Sequence, residues 1–172
     1  MVNDGILQYL EKEFQGNLPS NLAMVMIPGD LVENGTKYFQ WKDHFFNPAE
    51  NLFTNVPLYP VPGNHERNAM FYFKYFSLPE NGTPAYAEHW WYKDYGNTRI
   101  LGLDSNDGYR NLGQQLSWLQ KVLDDAAKND DIDFVFVNKT LETQEFVGVL
   151  SKNQKIKDIL LNIKNLGIIK DY

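Results

Sequence analysis

The chain has 172 residues, 43% of them hydrophobic and 15% aromatic, enough apolar material for one ordinary domain with a core. Its net charge of -6 provides no basic footprint for a phosphate backbone, so bulk nucleic-acid binding is not expected. Without cysteine, disulfides, thiolate metal sites and cysteine nucleophiles are excluded, and any metal must be held by Asp, Asn, His or Glu. Met1 to Glu13 shows neither a basic n-region nor an apolar h-region, and no stretch approaches the roughly 18 to 20 apolar residues of a membrane span. The expectation is a soluble chain with no signal peptide, no transmembrane segment and no visible address.

Taken in chain order, Ile6, Leu7, Leu10 and Phe14 recur at helical spacing over Val2 to Phe14, and Gly16-Asn17-Leu18-Pro19 ends that helix. The apolar run Leu22 to Ile27 then suits a strand buried on both faces, with Asp30 just past its end. Thr36 to Thr54 reads as one or two helices rich in aromatics, and Val56 to Val61 as a short strand followed by Pro62-Gly63-Asn64. Trp90 to Tyr92 and Arg99 to Leu103 flank Asp94-Tyr95-Gly96-Asn97, a hairpin pattern. Leu116, Leu119 and Leu123 mark a helix from Gly113, Phe134 to Val137 another buried strand, and Ile156, Ile159, Leu160 and Ile163 a last amphipathic helix. Alternating strands and helices predict an α/β domain.

Two strands each deliver polar residues at their C-terminal ends, through Pro28-Gly29-Asp30 and Pro62-Gly63-Asn64-His65-Glu66, and open α/β sheets bind ligands at that edge. Glycine before each polar residue allows a sharp turn, so a carboxylate and an amide can converge. Asp30 offers two oxygens that can bridge metals, Asn64 a carbonyl oxygen, and His65 a nitrogen ligand or a proton donor. Either motif alone would suit an ordinary turn after a strand. The pair, in this order and each after an apolar strand, argues for a site.

Gly29-Asp30-Leu31-Val32-Glu33-Asn34-Gly35 and Gly63-Asn64-His65-Glu66 resemble motifs of the calcineurin-like metallophosphoesterase superfamily. Trp91 to Asn97, Leu103-Asp104-Ser105 and Gln115 to Leu119 are similar to the hairpin and following helix of its purple-acid-phosphatase-like branch. The resemblance covers roughly residues 1–137, and implies mixed β-sheets sandwiched between helices. It implies hydrolysis of phosphomonoesters or phosphodiesters with two metals per site, such as manganese, zinc or iron. Asp30 would bridge the metals and Asn64 would bind one. His65 would donate a proton to the leaving oxygen, and Glu66 would set its orientation and basicity. Arg67 could touch a substrate phosphate, and Asp104 could support the site from behind the metal ligands. Gly29 to Gly35 contains no tyrosine, so a colourless metal pair is expected in place of an iron-tyrosinate centre.

The family pattern also has an Asp-x-His motif on a first strand and histidines after later strands, and this sequence departs from both. Nothing before Asp30 matches the first motif, and the last histidine is His89. His44, in an aromatic helical stretch, and His89, at the start of a hairpin strand, are poor substitutes. The expectation is a family core over 1–137 lacking the first strand, then a divergent segment, 138–172, that is mainly one helix. Loss of likeness after Val137 reads as a truncated or frame-altered product or a divergent paralogue. Three outcomes follow from these residues: a metal-dependent phosphoesterase, a non-catalytic binding module, or a product without independent function.

Overall fold

The computed structural model describes residues 2–14, 18–106, 112–139 and 146–151. Helix α1 (Val2–Phe14) follows its apolar spacing, with Leu10 buried and Ile6 and Leu7 half-buried, whereas Phe14 stays 44% exposed on the last turn. A short α2 (Leu18–Asn21) leads into β1 (Val25–Ile27). The apolar run from Leu22 predicts a longer strand buried on both faces; only three residues pair, and all are half-buried. The reason lies in the sheet. Among the described strands β1 pairs only with β2 (Leu58–Pro60), in parallel, and its first residue, Val25, lines an apolar groove with Ile6, Tyr9, Leu10, Leu22 and Met24.

The crossover between these parallel strands is helical but broken. Helix α3 (Tyr38–Gln40) passes into a π-turn (Trp41–Phe46), a 3-10 turn (Asn47–Ala49) and α4 (Glu50–Phe53). Trp41 and Phe45, four residues apart, both point inward. Their rings lie 6.0 Å apart and meet Phe76 at 6.1 and 6.2 Å. After β2, a loop leads to α5 (Met70–Tyr75), a helix with no counterpart in the apolar periodicity.

A second sheet has the order β3 (Trp91–Tyr95), β4 (Thr98–Leu103), β5 (Phe134–Lys139), β6 (Phe146–Ser151). The first pair is the predicted hairpin; β4 and β5 are parallel, joined through α6 (Leu112–Lys128). β5 therefore runs past Val137, and β6 pairs antiparallel with it; the helix expected around Ile156 to Ile163 lies outside the described residues. Strand pleating divides the core. Leu101 and Leu103 face α6, in a cluster with Leu119, Leu123, Ile132 and Val135. Ile100 faces the other way, with Trp91, Trp41, Val61, Tyr72 and Phe76. Covering both faces of the sheet produces the layered α/β architecture that the alternating pattern predicts.

Arg99, on the α6 side, is 3% exposed and ties strand to helix. Its guanidinium donates to both Asp94 oxygens at 2.7 and 2.8 Å, to Asp125 at 2.7 Å and to the Val122 carbonyl at 3.1 Å, while lying 4.4 Å from the Tyr92 ring centre. Lysine keeps the charge and loses the planar fork. Arg99→Lys is therefore expected to cost about 1–2 kcal/mol, since both carboxylates stay partly in water. An unchanged urea midpoint would contradict this anchoring.

Candidate functional site

The parallel pair β1 and β2 brings two loops, 28–36 and 61–68, to one edge. Backbone conformation does the local work in the first: Gly29 has φ +100° and Asp30 φ +52°, so the chain turns at once after Pro28. In the second, Val61, Pro62 and Gly63 are buried. Gly63 lets the loops touch, because a Cβ there would overlap the Asp30 backbone nitrogen and Oδ1 and lie 2.8 Å from Glu66 Oε2.

The crossing is held by polar bonds. Asp30 Oδ1 accepts from the His65 backbone N–H at 3.1 Å, and the Gly35 N–H donates to the His65 carbonyl at 2.9 Å. Buried Trp41 donates its Nε1–H to the Gly35 carbonyl at 2.8 Å. Glu66 does the most. Its fully buried carboxylate accepts from the N–H groups of Asp30 (2.9 Å), Leu31 (2.7 Å), Val32 (3.3 Å) and Gly63 (2.6 Å). Burial raises its pKa above the ordinary glutamate value, and these four amides pull against that rise.

This geometry corrects one expectation. Glu66 is predicted to orient the His65 ring, but its oxygens are committed to loop amides. The reason is that a buried carboxylate must be hydrogen-bonded, and the orphan N–H groups of the first loop are the donors within reach. Glu66 thus holds the two loops together. The His65 ring and the Asn64 amide are exposed and carry no hydrogen bond among the described residues.

Asp30 stands on the first loop and Asn64, His65 and Arg67 on the second, all exposed, and the loops meet where the His65 backbone N–H reaches Asp30 Oδ1. Asp104 does not join them directly. It is buried just past β4 and accepts from the Asn106 backbone N–H (2.9 Å) and Nδ2 (2.8 Å), with its other oxygen 2.7 Å from His89 Nδ1. Asn106 passes this support on by donating Nδ2–H to the Pro62 carbonyl at 3.0 Å. Gln115 clamps the Asp104 backbone through both its N–H and its carbonyl, at 3.0 and 2.7 Å. Tyr72 supports the strand end that leads into the second loop, donating its hydroxyl to the carbonyl of Pro60, the last residue of β2, at 3.1 Å. Burial, with the nearby charges of Glu66, Asp104 and Glu88, raises its pKa well above that of an ordinary tyrosine and keeps it a donor.

The sequence reading missed Asn106 and Tyr72 as parts of this support. Asp-Ser-Asn after a strand signals only a local turn, and Tyr72 is one aromatic among several in Met70–Tyr75. His89 is bonded to Asp104, and His44 sits exposed in the π-turn against Phe39, their rings 5.6 Å apart.

As a cation site, the two loops offer oxygen donors of the right chemistry: the Asp30 carboxylate and the Asn64 carbonyl, both open to solvent. Those donors fit part of a ligand set. Among the described residues no group of three or more His, Asp or Glu side chains converges to hold a metal. None of the described helices is long and apolar enough to cross a membrane.

An uncharacterized protein of Mycobacterium tuberculosis (strain ATCC 25618 / H37Rv) is 29% identical over 117 residues, covering 56% of this chain and 22% of the relative. Another uncharacterized protein, from strain CDC 1551 / Oshkosh, has the same identity and coverage. An Arabidopsis thaliana protein named "Probable inactive purple acid phosphatase 27" is 28% identical over 117 residues, covering 60% of this chain and 19% of the relative. The chain thus spans 19 to 22% of the length of these relatives. No solved structure matches it. The sequence model of the calcineurin-like phosphoesterases matches residues 3–169, nearly the whole chain, and the chain belongs to that family.

Proposed function

We propose that this chain carries the central part of a metal-dependent phosphoric ester hydrolase, acting on a phosphomonoester or phosphodiester. The observation that supports it is the convergence of Asp30, Asn64 and His65 on two loops at the C-terminal ends of parallel strands. In this reading Asp30 and Asn64 hold a cation through oxygen, within a two-metal centre of manganese, zinc or iron. When bound, the metals supply positive charge that acidifies water and neutralises the phosphoryl oxygens. Water adds its oxygen to phosphorus as the bond to the leaving oxygen breaks. The exposed His65 imidazole delivers a proton to that oxygen, so an alcohol and a phosphate are released. Arg67 pairs with a phosphate oxygen. Glu66, Asn106 and Tyr72 keep the loops in register without touching the substrate.

A second reading, a binding module without turnover, is favoured by the two-oxygen donor set and by the word "inactive" in the name of the Arabidopsis relative. Assay of an aryl phosphate and an aryl phosphodiester with added manganese, zinc or iron separates the two. Turnover that disappears in Asp30→Ala is the expected result for the hydrolase. A folded protein with no turnover under any of the metals would leave the binding module.

A further inference from the structure

His89 belongs to neither strand-end loop, yet its ring is held from several sides. The side chain is 13% exposed, and the ring lies 4.9 Å from that of Phe73 and 5.9 Å from that of Tyr86, the latter edge-on. Its backbone N–H donates to the Tyr86 carbonyl at 3.1 Å. The residue before it, Glu88, is left-handed at φ +63°, and the Glu88 carboxylate accepts the Leu78 N–H at 2.9 Å. A non-glycine residue stays in that conformation only where surrounding contacts enforce it. Here it lies directly before the imidazole.

The bonds that start at His89 end on the second loop. His89 Nδ1–H donates to Asp104 Oδ2 at 2.7 Å, and Asp104 Oδ1 accepts from Asn106 Nδ2–H at 2.8 Å. The same Asn106 nitrogen gives its other hydrogen to the Pro62 carbonyl at 3.0 Å. Asp104 and Asn106 are both buried, where a lost partner leaves a polar group unsatisfied. A carboxylate only accepts, so Nδ1 is the ring nitrogen that carries the hydrogen. Nε2 has no hydrogen-bond partner among the described residues. Proline has no N–H, so its carbonyl is the one backbone polar group by which Pro62 can be tied, and Asn64 follows two residues later.

We infer that His89 is a positioning residue for the strand-end site: acting from Nδ1 through Asp104 and Asn106, it fixes the entry of the second loop and so the placement of Asn64 and His65. It touches neither substrate nor cation. Its bearing on cation binding rests on the phosphoesterase reading above, whereas the coupling of His89 to the loop does not. Partners of this kind, one bond removed from a ligand, typically change metal affinity 10- to 100-fold when lost, which is why a residue outside both loops matters to them.

The test is NMR of the whole chain without metal, followed by titration with manganese. His89→Asn places an amide N–H near the position of Nδ1, His89→Gln near that of Nε2, and His89→Phe keeps a ring without a donor. The His65 backbone amide and the Asn64 side-chain amide signals are expected to move in the Phe and Gln variants and to return in the Asn variant. Manganese affinity should fall about tenfold in His89→Phe and recover in His89→Asn. Asn106→Ala should displace the same signals, and adding His89→Phe to it should change them little further, because both cut one path. Unmoved His65 and Asn64 signals in a folded His89→Phe protein, rescue by Gln in place of Asn, or additive effects of the His89 and Asn106 changes would overturn the inference. Should His89→Phe not fold, the comparison of Asn with Gln and the Asn106→Ala spectrum decide in the same way. A wild-type chain that binds no manganese would end the phosphoesterase reading, while the metal-free spectra judge the coupling by themselves.

Discussion

Glu66→Ala is expected to destabilise the protein by about 4 kcal/mol, because it strips the acceptor from several buried backbone donors at once. The carboxylate is fully buried and receives N–H groups from Asp30, Leu31, Val32 and Gly63. Glu66→Gln keeps one carbonyl oxygen but turns an amide NH2 toward donors, so about 2 kcal/mol is expected. Urea unfolding at neutral pH measures both. A loss below about 1 kcal/mol for alanine would mean that the loops are held by something else. Because three of the four bonds fix the loop that carries Asp30, the alanine variant should also lose affinity for divalent cations.

Gly63→Ala comes next, at about 3 kcal/mol, the upper range for forcing a methyl group into a packed site. Its Cβ would overlap Asp30 Oδ1 and the Asp30 backbone nitrogen, and a backbone atom within a turn at φ +52° has nowhere to go. Either the loops part, breaking the Asp30 to His65 bond, or the strand ends shift. Gly5→Ala is the matched control. Nothing lies within 4 Å of its Cβ, and it sits within α1, so about 0.5–1 kcal/mol of stabilisation is expected there. Urea midpoints for the pair, with the His65 amide NMR signal as a local probe, decide the matter. Equal, small effects at the two glycines would show that the loops do not meet at Gly63.

The two results bear on function through geometry. Asp30 and Asn64 are exposed loop residues, and exposed side chains are held precisely only when what lies beneath them is rigid. Glu66, Asn106 and Trp41 supply that rigidity by bonding to loop backbone atoms, a Gly63 amide and the carbonyls of Pro62 and Gly35, and Tyr72 by bonding to the carbonyl of Pro60 at the end of β2.

Much of this was legible in the chain. The α/β class followed from strands alternating with helices, and the hairpin from Gly96-Asn97 between strand-like runs, which is where β3 and β4 turn. The meeting of the loop that carries Asp30 with the loop that carries Asn64 and His65 was legible too, because each motif follows an apolar run and parallel strands place such ends side by side. Other readings failed for reasons outside local sequence. Leu22 to Ile27 is apolar enough for a doubly buried strand, but burial needs a neighbour on each side, and β1 has one among the described residues. Phe14 matches the helical stripe yet stays exposed, since periodicity specifies a face and not how far the opposing layer extends.

By itself the sequence determined the fold class, the two strand-end motifs and the residues offering oxygen and imidazole at them, because strand periodicity, turn chemistry and donor type are local properties. Only the tertiary structure decided that Glu66 clamps loop amides instead of orienting His65, and that Asn106 ties Asp104 to the second loop. A buried carboxylate bonds to whichever donors the crossing of distant segments leaves unpaired, and the crossing here joins residues 35 apart in the chain, as in Leu31 to Glu66.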